Sequence, residues 1–386
     1  MSYYEFHVSR RYVQYEGALA ELPHYAASIG KKLLILVAAI PERVEPVIER
    51  AMRTATADAL QPQLEMENPR YAGFRAKAGD CDAMRADMSY EFREIVDVVP
   101  SEGNIRAVAD YVRAEGFDTV VGIGGGRGMD FARGITHFVP VKVILVPTLA
   151  ATNAPISTLS VIYSDDGNTI VDYWRMDNAP DLTLVDTGIL LDNPPQALAA
   201  GIGDITCTYY EGLCNLALSG REAAYPDLST RGLRLAVEIM RERAPQAMEA
   251  LRQHRITPAF ESVLSMILHN CGPLWTACNM GLAHVLDELF LHFPQAHAWS
   301  HGLRVGFATI PMLMYANVPQ AELDAYIDLC RAVGIPTSLH EMGIDAISLP
   351  EWEQAAAATI EKRGALKSLP FAAKLEDVLN CLLKCR

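Results

Sequence analysis

The chain has 386 residues, 50% of them hydrophobic and 21% charged, and carries a formal net charge of -14 at pH 7. That length exceeds a single core of ordinary size, so two domains are expected, each large enough to bury an apolar interior. The negative field repels phosphate backbones and anionic headgroups, and no basic run reverses it locally, which excludes nucleic acid and membrane surfaces as expected partners.

In chain order, the opening "MSYYEFHVSRRYVQYEG" lacks an apolar segment of signal-peptide length, so a soluble, cytoplasmic protein is expected. "KLLILVA" (Lys32 to Ala38) reads as a buried strand and "ERVEPVIERAM" as a helix after it. The stretch from about Asn68 to Arg93 fits neither period and reads as an insertion or irregular loop. "NIRAVADYVRAEGF" is an amphipathic helix, and "DTVVGIG" and "VKVILVP" are two further buried strands. Continuous Val/Ile/Leu runs separated by helices are what a parallel sheet covered on both faces requires. "STLSVIYSDDGNTIVDYW" (Ser157 to Trp174) reads instead as a hairpin around Asp166-Gly167, and "DLTLVD" as a last strand ending at Asp186. Beyond "LDNPPQAL" the spacing is helical. The run Val305 to Gln320 is apolar, but Pro311 and Pro319 interrupt it and it is too short for a bilayer. The expected fold is an α/β N-terminal domain over residues 1–188 followed by an all-α domain over 189–386. Eight cysteines without a CxxC pair argue against a zinc ribbon or a disulfide framework, and most are expected as buried small hydrophobes.

"VVGIGGGRGMDFARG" sets five glycines (122, 124, 125, 126 and 128) between a strand and a short helix expected to begin near Met129. Glycines there let backbone N–H groups approach an oxyanion, and the helix N-terminus adds its positive end, so a pyrophosphate suits the loop. A tight strand-to-helix turn needs glycine just as well. The spacing is not G-x-G-x-x-G, since Arg127 stands three after Gly124, and the loop follows a later strand, so an ordinary Rossmann site is disfavoured. Asp130 either complements its helix dipole or accepts a hydrogen bond from a bound ribose or carboxamide.

"AHVLDELFLHFPQAHAWSHG" (Ala283 to Gly302) carries four of the chain's ten histidines. A catalytic zinc takes three protein ligands and leaves a fourth position open. His284 and His292, two turns apart on one helix, are separated by about 12 Å of rise and do not share an ion. His297 with His301 at i, i+4 remains possible on spacing, as does His284 with His301 if Phe293-Pro294 ends the helix and the chain doubles back. Histidines without any ligand role satisfy the same spacing. Asp204 in "AAGIGDITCTYYEG", after two glycines at an expected helix start, is the best carboxylate candidate for a third ligand, its alternative role being an N-cap.

These pieces occur in the order of a known pattern. The chain resembles the metal-dependent glycerol dehydrogenases of the iron-containing alcohol dehydrogenase superfamily, whose fold is shared by dehydroquinate synthase. The resemblance rests on "GIGGGRGMDFAR", "PTLAATNAPISTLSVIYSDDG", "PDLTLVD" followed by "GIGD", and "GLAH" followed by "SHG", together spanning residues 122 to 302. It implies a nucleotide-binding α/β domain, a helical metal and substrate domain, and a homo-oligomer. It implies Asp204, His284 and His301 as zinc ligands, with His292 and His297 as bystanders. Gly125, Gly126 and Asp130 then correspond to pyrophosphate and nicotinamide-ribose contacts, and Thr148, Ser157, Leu159 and Tyr163 to further contacts with NAD. Iron-using members carry a fourth ligand four residues after the aspartate, where this chain has Thr208, and the His284 to His301 spacing also favours zinc over iron. The implied chemistry is Lewis-acid activation of a substrate hydroxyl and hydride transfer to the nicotinamide.

Four positions depart from the family pattern. Asn153 stands where an aspartate usually flanks the substrate. Leu303 and Arg304 replace the carboxylate of the usual HGE with an apolar group and a cation. These changes lead to the expectation of a 2-oxo or 2-hydroxy acid in preference to glycerol. Ala39 replaces the acid that usually binds the adenine ribose, so charge does not select NAD over NADP there. Two other readings compete: a lyase, which needs cations that the stretch Val143 to Trp174 lacks, and a non-catalytic nucleotide-binding relative, which retention of all three ligands disfavours.

Overall fold

The computed structural model describes residues 9–54, 88–220, 225–270, 281–361 and 364–386. They fall into two compact units, one of residues 9–148 with 154–190 and the other of residues 149–153 with 191–386.

Among the described residues the first unit holds eight strands: β1 (Tyr12–Tyr15), β2 (Lys32–Val37), β3 (Ser89–Glu94), β4 (Thr119–Gly124), β5 (Lys142–Pro147), β6 (Leu159–Tyr163), β7 (Ile170–Arg175) and β8 (Leu182–Asp186). Six form an all-parallel sheet in the order β1-β8-β5-β4-β2-β3, while β6 and β7 pair antiparallel as the expected hairpin. Side chains alternate across a strand, so the apolar run of β2 is shared between two cores. Leu33, Ile35 and Val37 pack with α1 (Leu22–Ala27) and α2 (Pro41–Thr54) on one face. Leu34 and Leu36 pack with α3 (Glu102–Glu115) and α4 (Gly126–Gly134) on the other. Helix α3 starts where the Ser101 hydroxyl accepts from the Asn104 N–H and stops at Gly116, whose φ of +71° suits glycine.

Three local expectations change. Helix α4 starts at Gly126 rather than near Met129. The irregular stretch ends in strand β3, an edge strand, although its part before residue 88 lies outside the described residues. The other edge, β1, was not anticipated. Both edge strands are partly exposed and lack the apolar runs that mark β2, β4 and β5.

The second unit is helical: α5 (Thr187–Leu191) leads into α6 (Pro195–Ser219), α7 (Asp227–Arg252), α8 (Pro258–Ser265), α9 (Leu282–Phe290), α10 (His301–Tyr315), α11 (Gln320–Val333), α12 (Leu349–Ala356) and α13 (Leu375–Leu383). Its organising contact is the crossing of α6 and α10. A Cβ on Gly302 would stand 2.0 Å from the Ala200 carbonyl oxygen, and one on Gly203 would stand 2.3 Å from the Gly302 oxygen. The two backbones therefore touch. A Cβ on Gly201 would meet the Ala150 oxygen at 1.9 Å, which seats the Leu149–Asn153 segment on the same helix. Of the cysteines among the described residues, Cys207, Cys214, Cys330 and Cys385 are free and buried, and Cys381 is free and part-exposed. Among the described residues no helix is long and apolar enough to cross a membrane.

Candidate active site

The glycine crossing of α6 and α10 places Asp204 next to His301, because each is the immediate chain neighbour of a crossing glycine. Asp204 is not at a helix start. It is the tenth residue of α6, and Pro194 occupies the N-cap. The glycines before it serve the crossing instead. His284 enters from the first turn of α9, and His301 is the first residue of α10. Asp204 Oδ1 lies 3.9 Å from His284 Nε2 and 3.6 Å from His301 Nε2, and ligand atoms from all three residues lie within 4.8 Å of one another. The imidazole centroids are 5.3 Å apart. Asp204 is buried, and that burial raises its pKa while the two imidazoles pull it down.

Behind each histidine stands a carboxylate that the sequence reading missed. Glu211, 1% exposed, accepts from the His284 backbone N–H at 2.9 Å and pairs with His284 Nδ1 at 2.8 Å. It satisfies a first-turn donor of α9 that the Gly281 N-cap, having no side chain, leaves open. Burial pushes the His284 imidazole down, but Glu211 and Cys207 together raise it well above its usual pKa. Asp287 Oδ2 is 2.8 Å from His301 Nδ1, and Asp287 Oδ1 is 2.5 Å from Arg304 Nε. Burial would raise the Asp287 carboxyl, but His301 and Arg304 hold it down at about 2. A signal existed in the sequence: Asp204 and Glu211 are the only charged residues in the 25 of α6, and charges in an apolar helix call for partners. His292 is exposed beyond the end of α9, and exposed His297 bonds the Leu291 carbonyl, so neither joins the cluster.

The glycine loop divides into two sets. A Cβ on Gly124 or Gly128 would strike Ala38 Cβ at 2.8 or 2.5 Å, and one on Gly122 would strike Ala132 Cβ at 2.5 Å. These three glycines are explained by strand and helix packing. Gly125 and Gly126 are part-exposed at the N-terminus of α4. They lie where the order of strands reverses: β2 leads outward to β3, and β4 leads the other way to β5. Ligands of open parallel sheets bind beyond the carboxyl ends of the strands at such a switch. Thr148, just past β5, is buried and its N–H donates to the Gly124 carbonyl at 2.9 Å. Leu159 and Tyr163 share one part-exposed face of β6. The Ser157 hydroxyl accepts from the Leu159 N–H, and Arg127 covers the Tyr163 ring.

Asp130 has a partner the sequence reading did not consider. Its carboxylate pairs with buried Arg133 at 2.9 Å, and Arg133 donates onward to the Leu159 and Ala154 carbonyls. Burial lifts the Asp130 carboxyl to about 6, against the pull of Arg133. The pair ties α4 to β6. Asp130→Ala is therefore expected to destabilise the cofactor-free protein by about 3 kcal/mol, since it strands a buried cation. Urea unfolding checks it: an unchanged midpoint, with the loss confined to cofactor affinity, would return Asp130 to a direct cofactor role.

Comparison with known proteins places this arrangement. Residues 72–187 match the family model described as iron-containing alcohol dehydrogenase. A glycerol dehydrogenase of Escherichia coli O6:H1 (strain CFT073) is 30% identical over 300 residues, covering 75% of this chain and 81% of that protein. The chain belongs to the iron-containing alcohol dehydrogenase family. It is thus an oxidoreductase of the alcohol dehydrogenase type, and its similarity is to the glycerol dehydrogenases of that family. Among solved structures, a probable glycerol dehydrogenase from Sinorhizobium meliloti 1021 superposes with a TM-score of 0.80 at 23% identity, covering 100% of this chain and 98% of that one. A sulfoacetaldehyde reductase from Bifidobacterium kashiwanohense, solved in complex with NAD+, superposes with a TM-score of 0.70 at 16% identity, covering 100% and 98%.

Against this family background the departures take on definite places. Leu303 is buried at 5% exposure. Arg304, 7% exposed, spends its guanidinium on Asp287 and on the Trp299 carbonyl. It supplies no free cation, so only the two lost carboxylates, at Asn153 and Leu303, remain behind the expected preference for an acid substrate. Asn153 lies on the segment seated against α6 through Ala150. Thr208 donates its hydroxyl to the Asp204 backbone carbonyl at 2.9 Å.

Proposed function

We propose that the protein is a zinc- and NAD-dependent alcohol or polyol dehydrogenase of glycerol dehydrogenase type, moving hydride between a secondary alcohol and the nicotinamide. The observation that carries this reading is the buried Asp204 carboxylate facing two imidazole Nε2 atoms. Ligand atoms about 2.1 Å from a tetrahedral ion stand roughly 3.4 Å apart, and the observed 3.6 and 3.9 Å are within a small side-chain adjustment of that. A donor set of one carboxylate and two imidazoles suits zinc, and Thr208, occupied with the backbone, adds no fourth protein ligand. When bound, the ion supplies Lewis-acid polarisation of the substrate oxygen.

The chain's own residues do the rest. Glu211 and Asp287 accept from the Nδ1–H of the two histidines, which leaves both Nε2 lone pairs free for coordination. Gly125 and Gly126 offer backbone N–H groups and a helix N-terminus to a pyrophosphate. The NAD+ complex of the structurally similar reductase supports the choice of cofactor. Ala39 sets no acid against a 2'-phosphate, so NADP belongs in the test. Asn153 hydrogen-bonds substrate without adding charge, and this keeps a 2-hydroxy acid as the second candidate substrate. A homo-oligomer is proposed, to be read by light scattering.

The test is metal analysis of purified protein followed by a matrix of NAD and NADP against glycerol, other diols and 2-hydroxy acids. One zinc per chain and NAD-linked oxidation of a polyol are expected. Glycerol outperformed by hydroxy acids moves the assignment to a hydroxycarboxylate dehydrogenase, and no turnover with any pairing sinks the enzyme reading.

A further inference from the structure

We propose that Asp287 and Arg304 act as a clamp that fixes His301 for metal binding, making both of them positioning residues; the proposal rests on the metal reading above. The two histidines are held differently. The His284 side chain is 15% exposed and is bound by Glu211 through both backbone and ring. The His301 side chain is 42% exposed, and its ring is anchored by Asp287. A ring at the mouth of a helix, held through one nitrogen, swings toward solvent when that anchor is lost.

The clamp repeats one spacing on two helices. Asp287 lies one turn after His284 on α9, and Arg304 lies one turn after His301 on α10. Each of the two histidine-bearing helices therefore contributes one ligand and one half of the strut between them. Arg304 Nε meets Asp287 Oδ1 at 2.5 Å and Nη2 reaches Oδ2 at 3.4 Å, while Nη1 donates to the Trp299 carbonyl. The relay runs from Trp299 through Arg304 and Asp287 to His301 Nδ1, and it sets the tautomer whose Nε2 faces Asp204. A planar fork reaches both carboxylate oxygens and the carbonyl from separate, fixed nitrogens, a geometry that the single nitrogen of an ammonium group does not reproduce. Thus the arginine that departs from the family's HGE pattern is accounted for by Asp287 rather than by substrate.

Zinc release to a chelator and the visible spectrum of the cobalt(II)-substituted protein test the clamp. Asp287→Asn and Arg304→Met are expected to speed zinc loss by about 10- to 100-fold and to shift the cobalt bands, with Arg304→Lys recovering only part of the effect. Because a lone buried charge threatens folding, the double variant Asp287→Leu/Arg304→Leu removes both charges together. It is expected to melt near the wild type when metal-free and still release zinc fast. Wild-type release rates and an unshifted spectrum in the folded variants would overturn the clamp alone. A wild-type protein that takes up neither zinc nor cobalt would overturn the metal reading and the clamp with it.

Discussion

Replacing His301 or His284 with alanine is expected to abolish metal retention and lower kcat/KM by at least about 10³-fold, whereas His292→Ala leaves both unchanged. The size follows from the several kcal/mol of charge stabilisation that a Lewis-acid ion contributes, at about 1.4 kcal/mol per tenfold in rate. His301→Ala is the cleaner variant, because its side chain is 42% exposed and the buried Asp287 that it leaves keeps Arg304 as a partner. His284→Ala also strips a partner from the buried Glu211 carboxylate, and a fold-stability cost of about 1–3 kcal/mol accompanies the loss of metal. Metal content per chain, circular dichroism and steady-state kinetics on the three variants separate these effects. Equal sensitivity at His284 and His292 would refute the ligand assignment.

The central strands were readable because both of their faces are buried, which forces the continuous apolar runs of β2, β4 and β5. The edge strands β1 and β3 pair on one side only, so their half-polar sequences carry no such run. The histidine pairing illustrates a different limit. Spacing left His284 and His301 level with His297, and the ordered motifs of a family resemblance singled them out. Asp204 was found but misread, since "AGIGD" looks like a helix start when the glycines before the acid are there for a helix crossing. Glu211, Asp287 and Arg304 were visible as charges in apolar helices, but the partner of each lies on another helix, and no one-dimensional pattern names it. Asp130 and Arg133 sit at i, i+3 on one helix, so that pair was within reach of the sequence.

Gly302→Ala is expected to cost on the order of 2–3 kcal/mol of stability and to weaken metal binding, although alanine is the better helix former by about 1 kcal/mol. The added Cβ would stand 2.0 Å from the Ala200 carbonyl oxygen, and the obstacle is backbone, so no side chain can rotate away. The helices must separate by more than an ångström. Such a shift moves His301, the preceding residue on α10, away from Asp204, which lies on the facing stretch of α6. Stability and metal affinity should therefore fall together. Gly103→Ala is the control: it lies exposed in α3, where an added methyl would have its nearest neighbour at 3.8 Å, and should be neutral or stabilising by up to about 1 kcal/mol. Urea unfolding of the metal-free protein reads the first effect and zinc titration the second. A Gly302→Ala protein that keeps wild-type zinc affinity would show that the crossing serves the fold alone and does not set the spacing of Asp204 and His301.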